Sequence, residues 1–168
     1  MTTLPNEPGP RYEPLLQLLR TSEVVWNASR IFFARWAVSP SQFNVLNLLE
    51  AYPAGLTQVE LSRTLIMHRS NVTGLVDRLE ERGLVRRCAQ ANDRRAYRVT
   101  LTAAGQKLVR AIHPHYFAAA EEVWGKISAG QAKELAAILA EIAKNAKIFQ
   151  TDGSGTRLSP APLGKPQT

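Results

Sequence analysis

The sequence predicts a mainly α-helical fold with a small β-hairpin wing, in which a winged helix-turn-helix lobe is joined to a helical dimerisation domain made by the N- and C-terminal helices. Three observations predict it. Apolar residues recur at helical spacing through most of residues 12–149. Two short helical patterns between Thr57 and Arg82 are joined by only a few residues, and two β-prone runs follow Gly83 with a charged turn between them. With 168 residues, 45% of them apolar and 21% charged, the chain has the size and composition of one ordinary globular domain.

Residues 1–11 are polar and Pro-rich and read as a flexible N-terminal tail. From Tyr12 to Trp36, Leu15, Leu18, Leu19, Trp26, Phe32, Phe33 and Trp36 recur near helical spacing, the pattern of one long helix. Ser39 before Pro40 marks a second start, because a first helical turn has no use for the N–H that Pro lacks. Phe43, Leu46 and Leu49 give that helix an inward face as far as Ala51. After a loop at Tyr52 to Gly55, Thr57 and Glu60 form a capping-box pair, each side chain satisfying the other's backbone N–H, and open a short helix through Leu65. The chain breaks around Ile66 and Met67. A helix from His68 to Arg82 then turns Val72, Leu75, Val76 and Leu79 inward and stops at Gly83, the residue type that best tolerates a left-handed C-cap. Strands over 84–89 and 96–101 enclose Gln90 to Arg95, the charged tip of the wing.

Thr102 caps the next helix, which runs past Leu108 and Ile112 toward Ile127. Pro114 inside it removes a hydrogen bond and predicts a kink, a candidate hinge. Ser128 starts a last helix with a stripe of Leu135, Ile138, Leu139, Ile142, Ala146 and Phe149. Residues 150–168, rich in Gly, Ser and Pro, read as a disordered tail. The domain is thus placed at 12–149, with its lobe at about 40–101 and outer helices at 12–36 and 102–149. Those outer helices carry more apolar surface than so small a lobe covers, which predicts burial against a second copy; packing on the same chain is the alternative.

Lys and Arg outnumber Asp and Glu by 21 to 14, a net charge of +7 that attracts polyanions. No apolar run is long enough to cross a bilayer, and the N-terminus lacks a signal-peptide core, so the expectation is a cytoplasmic protein without a membrane partner. The single cysteine, Cys88, excludes an internal disulfide framework and a thiolate zinc cluster. His68, His113 and His115 are too scattered for a metal site, so neither metal nor cofactor is expected. A P-loop, a dinucleotide-binding glycine pattern and a nucleophile elbow are all missing, which leaves a catalytic reading without residues to carry it.

Charge and helix-turn-helix together point to double-stranded DNA. The N-terminal face of the 68–82 helix offers Arg69, Ser70, Asn71, Thr73 and Gly74, short polar groups that let the backbone approach a major groove. Ser70, Asn71 and Thr73 are the base-edge candidates, and Arg69 can reach a base or a phosphate. Ser70 and Asn71 also suit a helix start. Thr57 and Gln58, at the preceding helix's N-terminus, are placed to offer hydroxyl, amide and backbone N–H groups to phosphate. All basic residues from Arg63 to Arg98 are arginines, some of which must pair with Asp77, Glu80, Glu81 or Asp93. Adjacent Arg94 and Arg95 at the wing tip repel one another unless an anion lies nearby, and a minor groove supplies that potential; a solvated turn is the alternative. A winged helix that binds protein rather than DNA is the competing class, against which the arginine cluster argues.

The stretches VTGLVDRLEERGLVRR (Val72 to Arg87) and NDRRAYRVTLTAAG (Asn92 to Gly105) resemble the multiple antibiotic resistance regulator (MarR) family of bacterial transcription factors, with the resemblance running from about Tyr12 to Phe149. It implies a homodimer with interlocked terminal helices that reads successive major grooves of a pseudo-palindrome. It also implies a repressor that releases DNA when a small aromatic or anionic effector binds. In the family's Asp-x-Arg wing pattern, matched by Asp93 and Arg95, the Asp steadies the wing and the Arg enters the minor groove, leaving Arg94 for phosphate. The matching effector region draws on Trp26, Arg30, Phe43 and His113, aromatic walls with groups able to bind a carboxylate or phenolate. Ile66 and His68 depart from the family's usual small turn residue and cap. Cys88 lies on a predicted strand rather than in the first helix, where a peroxide-sensing branch carries its cysteine, so it reads as an inert thiol.

Overall fold

The computed structural model describes residues 7–65, 69–90 and 93–146. The chain divides into two compact units, Met1–Phe117 and Ala118–Thr168. In chain order the elements are α1 (Tyr12–Ala34), α2 (Pro40–Ala51), β1 (Leu56–Thr57), α3 (Gln58–Leu65), α4 (Arg69–Glu81), β2 (Val85–Gln90), β3 (Asp93–Leu101), α5 (Ala103–Trp124) and α6 (Ala129–Ala146). The mainly helical winged architecture is the one the sequence predicts.

Within the first unit, α1 stops before Trp36 because the chain tightens there. The N–H groups of Trp36 and Ala37 bond the carbonyls of Phe33 and Ala34 (3.1 and 2.9 Å), and Ala37 takes a φ of 52°. Left-handed backbone at a non-glycine costs about 1–2 kcal/mol. Arg82 Nη1 helps to hold that turn by donating to the Ala37 carbonyl at 2.6 Å. Ser39 then caps α2 as expected: its Oγ accepts from Gln42 N (3.2 Å), the Gln42 side chain accepts from Ser39 N (2.8 Å), and Pro40 opens the helix.

One apolar cluster holds this unit together. It joins Phe33 of α1, Phe43, Leu46 and Leu49 of α2, Leu61 of α3, Val72, Leu75, Val76 and Leu79 of α4, Val85 and Val99 of the sheet, and Val109 and Ile112 of α5. Every inward residue that spacing assigned to α2 and α4 is in it. Phe33 stacks on Phe43 with ring centres 4.5 Å apart, fastening the end of α1 to α2. Truncating a buried Leu of such a core costs about 2–5 kcal/mol.

The wing differs from the expected hairpin in two respects. β1 pairs antiparallel with β3, Leu56 opposite Val99 and Thr57 opposite Arg98, so the sheet has three strands in the order β1-β3-β2. The long strands also reach further toward the tip than 84–89 and 96–101, which moves the backbone of Asp93, Arg94 and Arg95 from turn into strand. Pairing slips there: Ala89 faces Tyr97 but Gln90 faces Asp93, leaving residues 94–96 as a bulge.

Helix ends follow local chemistry. Gly83, at φ 66°, closes α4 in a Schellman arrangement, with Gly83 N bonded to Glu80 O (2.8 Å) and Leu84 N to Leu79 O (2.9 Å). Thr102 Oγ1 accepts from Gly105 N (3.1 Å) and donates to Gly83 O (2.6 Å), tying the start of α5 to the end of α4. α5 ends at Trp124 rather than near Ile127, and Pro114 within it has no N–H for the Arg110 carbonyl. In the second unit Ser128 caps α6, its Oγ accepting from Gln131 N at 3.3 Å. α6 has no buried residue, and Leu135, Ile138 and Ile142 are 39%, 50% and 38% exposed. The expected break at Ile66 and Met67, the His68 start, Phe149 and the 150–168 tail lie outside the described residues.

Candidate nucleic-acid interface

The site is built on α3, α4 and the sheet behind them. At the start of α3, Thr57 Oγ1 accepts from Glu60 N (3.2 Å), while Glu60 Oε2 accepts from Thr57 N (2.7 Å) and from the Thr57 hydroxyl (2.9 Å). The backbone and hydroxyl of Thr57, with Arg98 and Arg63 nearby, hold the Glu60 carboxyl below its ordinary pKa. Arg98 donates twice to the Gly55 carbonyl (2.7 and 3.1 Å) and lies 3.5 Å from Glu60, pinning β3 to the loop before α3.

A second network joins α3, α4 and β2. The Thr73 hydroxyl lies 2.7 Å from the Gln58 amide. With that amide turned so that its nitrogen donates to Thr73, its oxygen also accepts from Arg87 Nη2 and Nε at 3.1 and 3.2 Å, an orientation that satisfies both neighbours. Arg87 in turn bonds the carboxylates of Asp77 and Glu80 on α4, and its backbone N–H donates to Glu80 Oε1 (2.8 Å). Burial opposes the Arg87 charge, but the bonds to Asp77 and Glu80 outweigh it and hold the guanidinium pKa above its ordinary value.

These bonds take in three of the expected contact residues. Thr57, Gln58 and Thr73 are half-buried; Thr57 bonds Glu60 at the start of α3, and Gln58 and Thr73 meet between α3 and α4. Ser70 and Asn71 are exposed, and Gly74 follows them on the same side of α4. Together with Ser41 of α2, Leu75 and Arg78, they line a shallow depression of about 360 Å³. The backbone of Arg69 opens α4 and that of Asp93, Arg94 and Arg95 opens β3. The side-chain roles expected of these four lie outside the described residues. Sequence reading missed the part that Arg87 plays, although Asp77 and Glu80 three residues apart on one helix are the signal for a shared cation.

Comparison with known proteins agrees with this geometry. A model of the MarR family matches residues 38–96, the segment from just before α2 into the start of β3. The HTH-type transcriptional regulator PapX of Escherichia coli is 27% identical over 116 residues, 68% of this chain and 71% of PapX. CouR from Rhodococcus jostii RHA1, solved bound to p-coumaroyl-CoA, is 26% identical, with a TM-score of 0.72 over 82% of this chain and 96% of CouR. The segment 38–96 is thus similar to the MarR family. MepR of S. aureus, solved as a complex with DNA, shares the fold at 23% identity, with a TM-score of 0.70 over 80% of this chain and 97% of MepR. These likenesses agree with the winged-helix fold of the chain.

Of the effector residues expected from the sequence, the structure brings two together. Phe43, fully buried, meets the His113 ring edge-on at 6.2 Å, and His113 bonds Asn47 (2.7 Å) and stacks on Phe117 (4.9 Å). Trp26 and Arg30 lie instead on exposed positions of α1, Trp26 at 42%, and neither joins this cluster among the described residues. Helical spacing put Trp26 on the same stripe as Phe33, but the apolar core reaches only the last turns of α1. Cys88 is half-buried on β2, with Sγ 3.6 Å from the Thr100 hydroxyl.

Proposed function

We propose that this chain is a MarR-family transcriptional regulator that binds a pseudo-palindromic operator as a homodimer and represses until a small aromatic or anionic effector releases it. The observation that carries the DNA reading is the face of α4 formed by Ser70, Asn71 and Gly74, which lacks apolar bulk and is braced from behind by Arg87. In this reading Ser70 and Asn71 meet base edges, Arg69 a base or phosphate, Arg95 the minor groove and Arg94 a phosphate, with Asp93 steadying the wing. Thr57 and Gln58 are placed at the helix start that faces phosphate and Thr73 beside the base-reading face, with the Gln58–Thr73 bond joining α3 to α4. The two solved relatives support both halves of the proposal, MepR having been captured on DNA and CouR with p-coumaroyl-CoA. A cytoplasmic location is part of the same reading, since a regulator of this kind works where the DNA is.

Dimerisation is supported by apolar surface that solvent cannot favour. On α1, Leu15, Leu19, Val24, Val25, Trp26 and Ile31 are all exposed, a load of large side chains that normally marks an interface. Selection of bound sequences from a random DNA library at moderate salt tests the proposal. An enriched inverted repeat with half-sites about one helical turn apart, roughly 34–36 Å, is the expected result. Recovery of a single unpaired half-site, or of no preferred sequence, would refute a dimeric operator-binding regulator.

A further inference from the structure

We infer that Arg78 is a contact to the DNA backbone, seated at the flank of the face that Ser70 and Asn71 present; the inference rests on the proposed reading of α4 as the DNA-facing helix. With Val72, Leu75, Val76 and Leu79 buried, α4 turns its opposite side outward, and Asn71, Gly74 and Arg78 fall in one row at intervals of three and four residues. The guanidinium folds back along that row: Nη1 and Nη2 lie 3.5 and 4.0 Å from where a Cβ on Gly74 would stand. The absent side chain at Gly74 leaves room for a cation over the first turns of the helix, beside Asn71.

The surroundings leave that charge available. Arg78 is exposed and has no ion-pair partner among the described residues, because Asp77 and Glu80 are taken by Arg87. The depression that Arg78 lines contains Ser41, Ser70, Asn71, Gly74 and Leu75 and no carboxylate. Its outer wall is Ser41, in the first turn of α2, the helix packed across α4. Base edges are read by the first turn of a recognition helix, whereas the preceding helices lie across the sugar-phosphate strand. A guanidinium two turns into α4, facing α2, therefore meets a phosphate, for which its planar fork of donors is suited.

The test uses the full chain and the operator recovered by selection, with binding measured over a series of salt concentrations. Removing one bond to a phosphate flattens the slope of log affinity against log salt by about 0.9. Arg78→Ala should bind about tenfold more weakly, lower the slope by about 0.9 per bound protomer, and leave the ranking of single-base operator variants unchanged. Arg78→Lys should keep the wild-type slope. Wild-type affinity and slope in a folded Arg78→Ala protein would overturn the assignment, as would an unchanged slope with weaker discrimination at one base pair. Since Arg78 is exposed and makes no ion pair among the described residues, unfolding of Arg78→Ala and Arg78→Gln alike would equally contradict it. If the wild-type chain itself shows no salt-dependent binding to DNA, the reading of α4 falls and this assignment with it.

Discussion

Arginines in the winged lobe divide by what surrounds them. Arg82 serves the Ala37 carbonyl, Arg98 the Gly55 carbonyl and Glu60, and Arg87 the carboxylates of Asp77 and Glu80. Only tertiary packing separates these from the arginines proposed to face DNA. Arg87 has the most to lose, because it is half-buried and its removal strands two carboxylates and the Gln58 oxygen together. Bonds to charged groups contribute about 1.5–3 kcal/mol each, so Arg87→Ala should lower unfolding free energy by about 2 kcal/mol. Denaturant titration checks it, and a change below about 0.5 kcal/mol would show that the network does not brace α4. The sequence made clear that some of these arginines must pair with Asp77 or Glu80. Which one does depends on the register between β2 and α4, a tertiary property that spacing along one helix does not carry. For the same reason spacing does not show that Thr73 and Gln58, polar and near helix starts, meet each other where α3 crosses α4.

At the scale of elements, legibility followed the range of the forces. The caps of Ser39, Thr57, Thr102 and Ser128 and the stop at Gly83 are set within a few residues, and each helix they bound was readable. Strand β1 is two residues long and exists only because β3 lies beside it, so no periodicity announces it. The bulge at 94–96 likewise depends on how two strands align. Gly105 shows how closely elements meet: a Cβ there would stand 2.0 Å from the Leu84 carbonyl oxygen, and backbone cannot yield as a flexible side chain does. Overpacking of this kind costs about 1–3 kcal/mol or more. Gly105→Ala should lower the thermal midpoint by several degrees, since about 1 kcal/mol shifts a domain of this size by roughly 2–8 °C. A midpoint equal to wild type would mean that α5 sits further from the α4–β2 connection than described.

For the whole molecule, the composition and the helix-turn-helix pattern were enough to point to a basic, DNA-binding winged helix, and the family match agrees with both. What remained out of reach was the effector region. Trp26 and Arg30 share a helix with Phe33, yet Phe43 and His113 form a cluster without them. Apolar spacing marks a stripe but not where along it the core ends. Exposed apolar residues on α1, and separately on α6, are the surfaces that the proposed second copy would cover.

The central claim is that two copies of α4 read bases through the Ser70 and Asn71 face. Repeating the random-library selection with folded Asn71→Ala protein tests it most directly. The predicted result is an inverted repeat that keeps its spacing and loses its preference at symmetry-related positions of both half-sites, by a discrimination of about 1–3 kcal/mol at each. An enriched motif identical to that of the wild-type protein would contradict it.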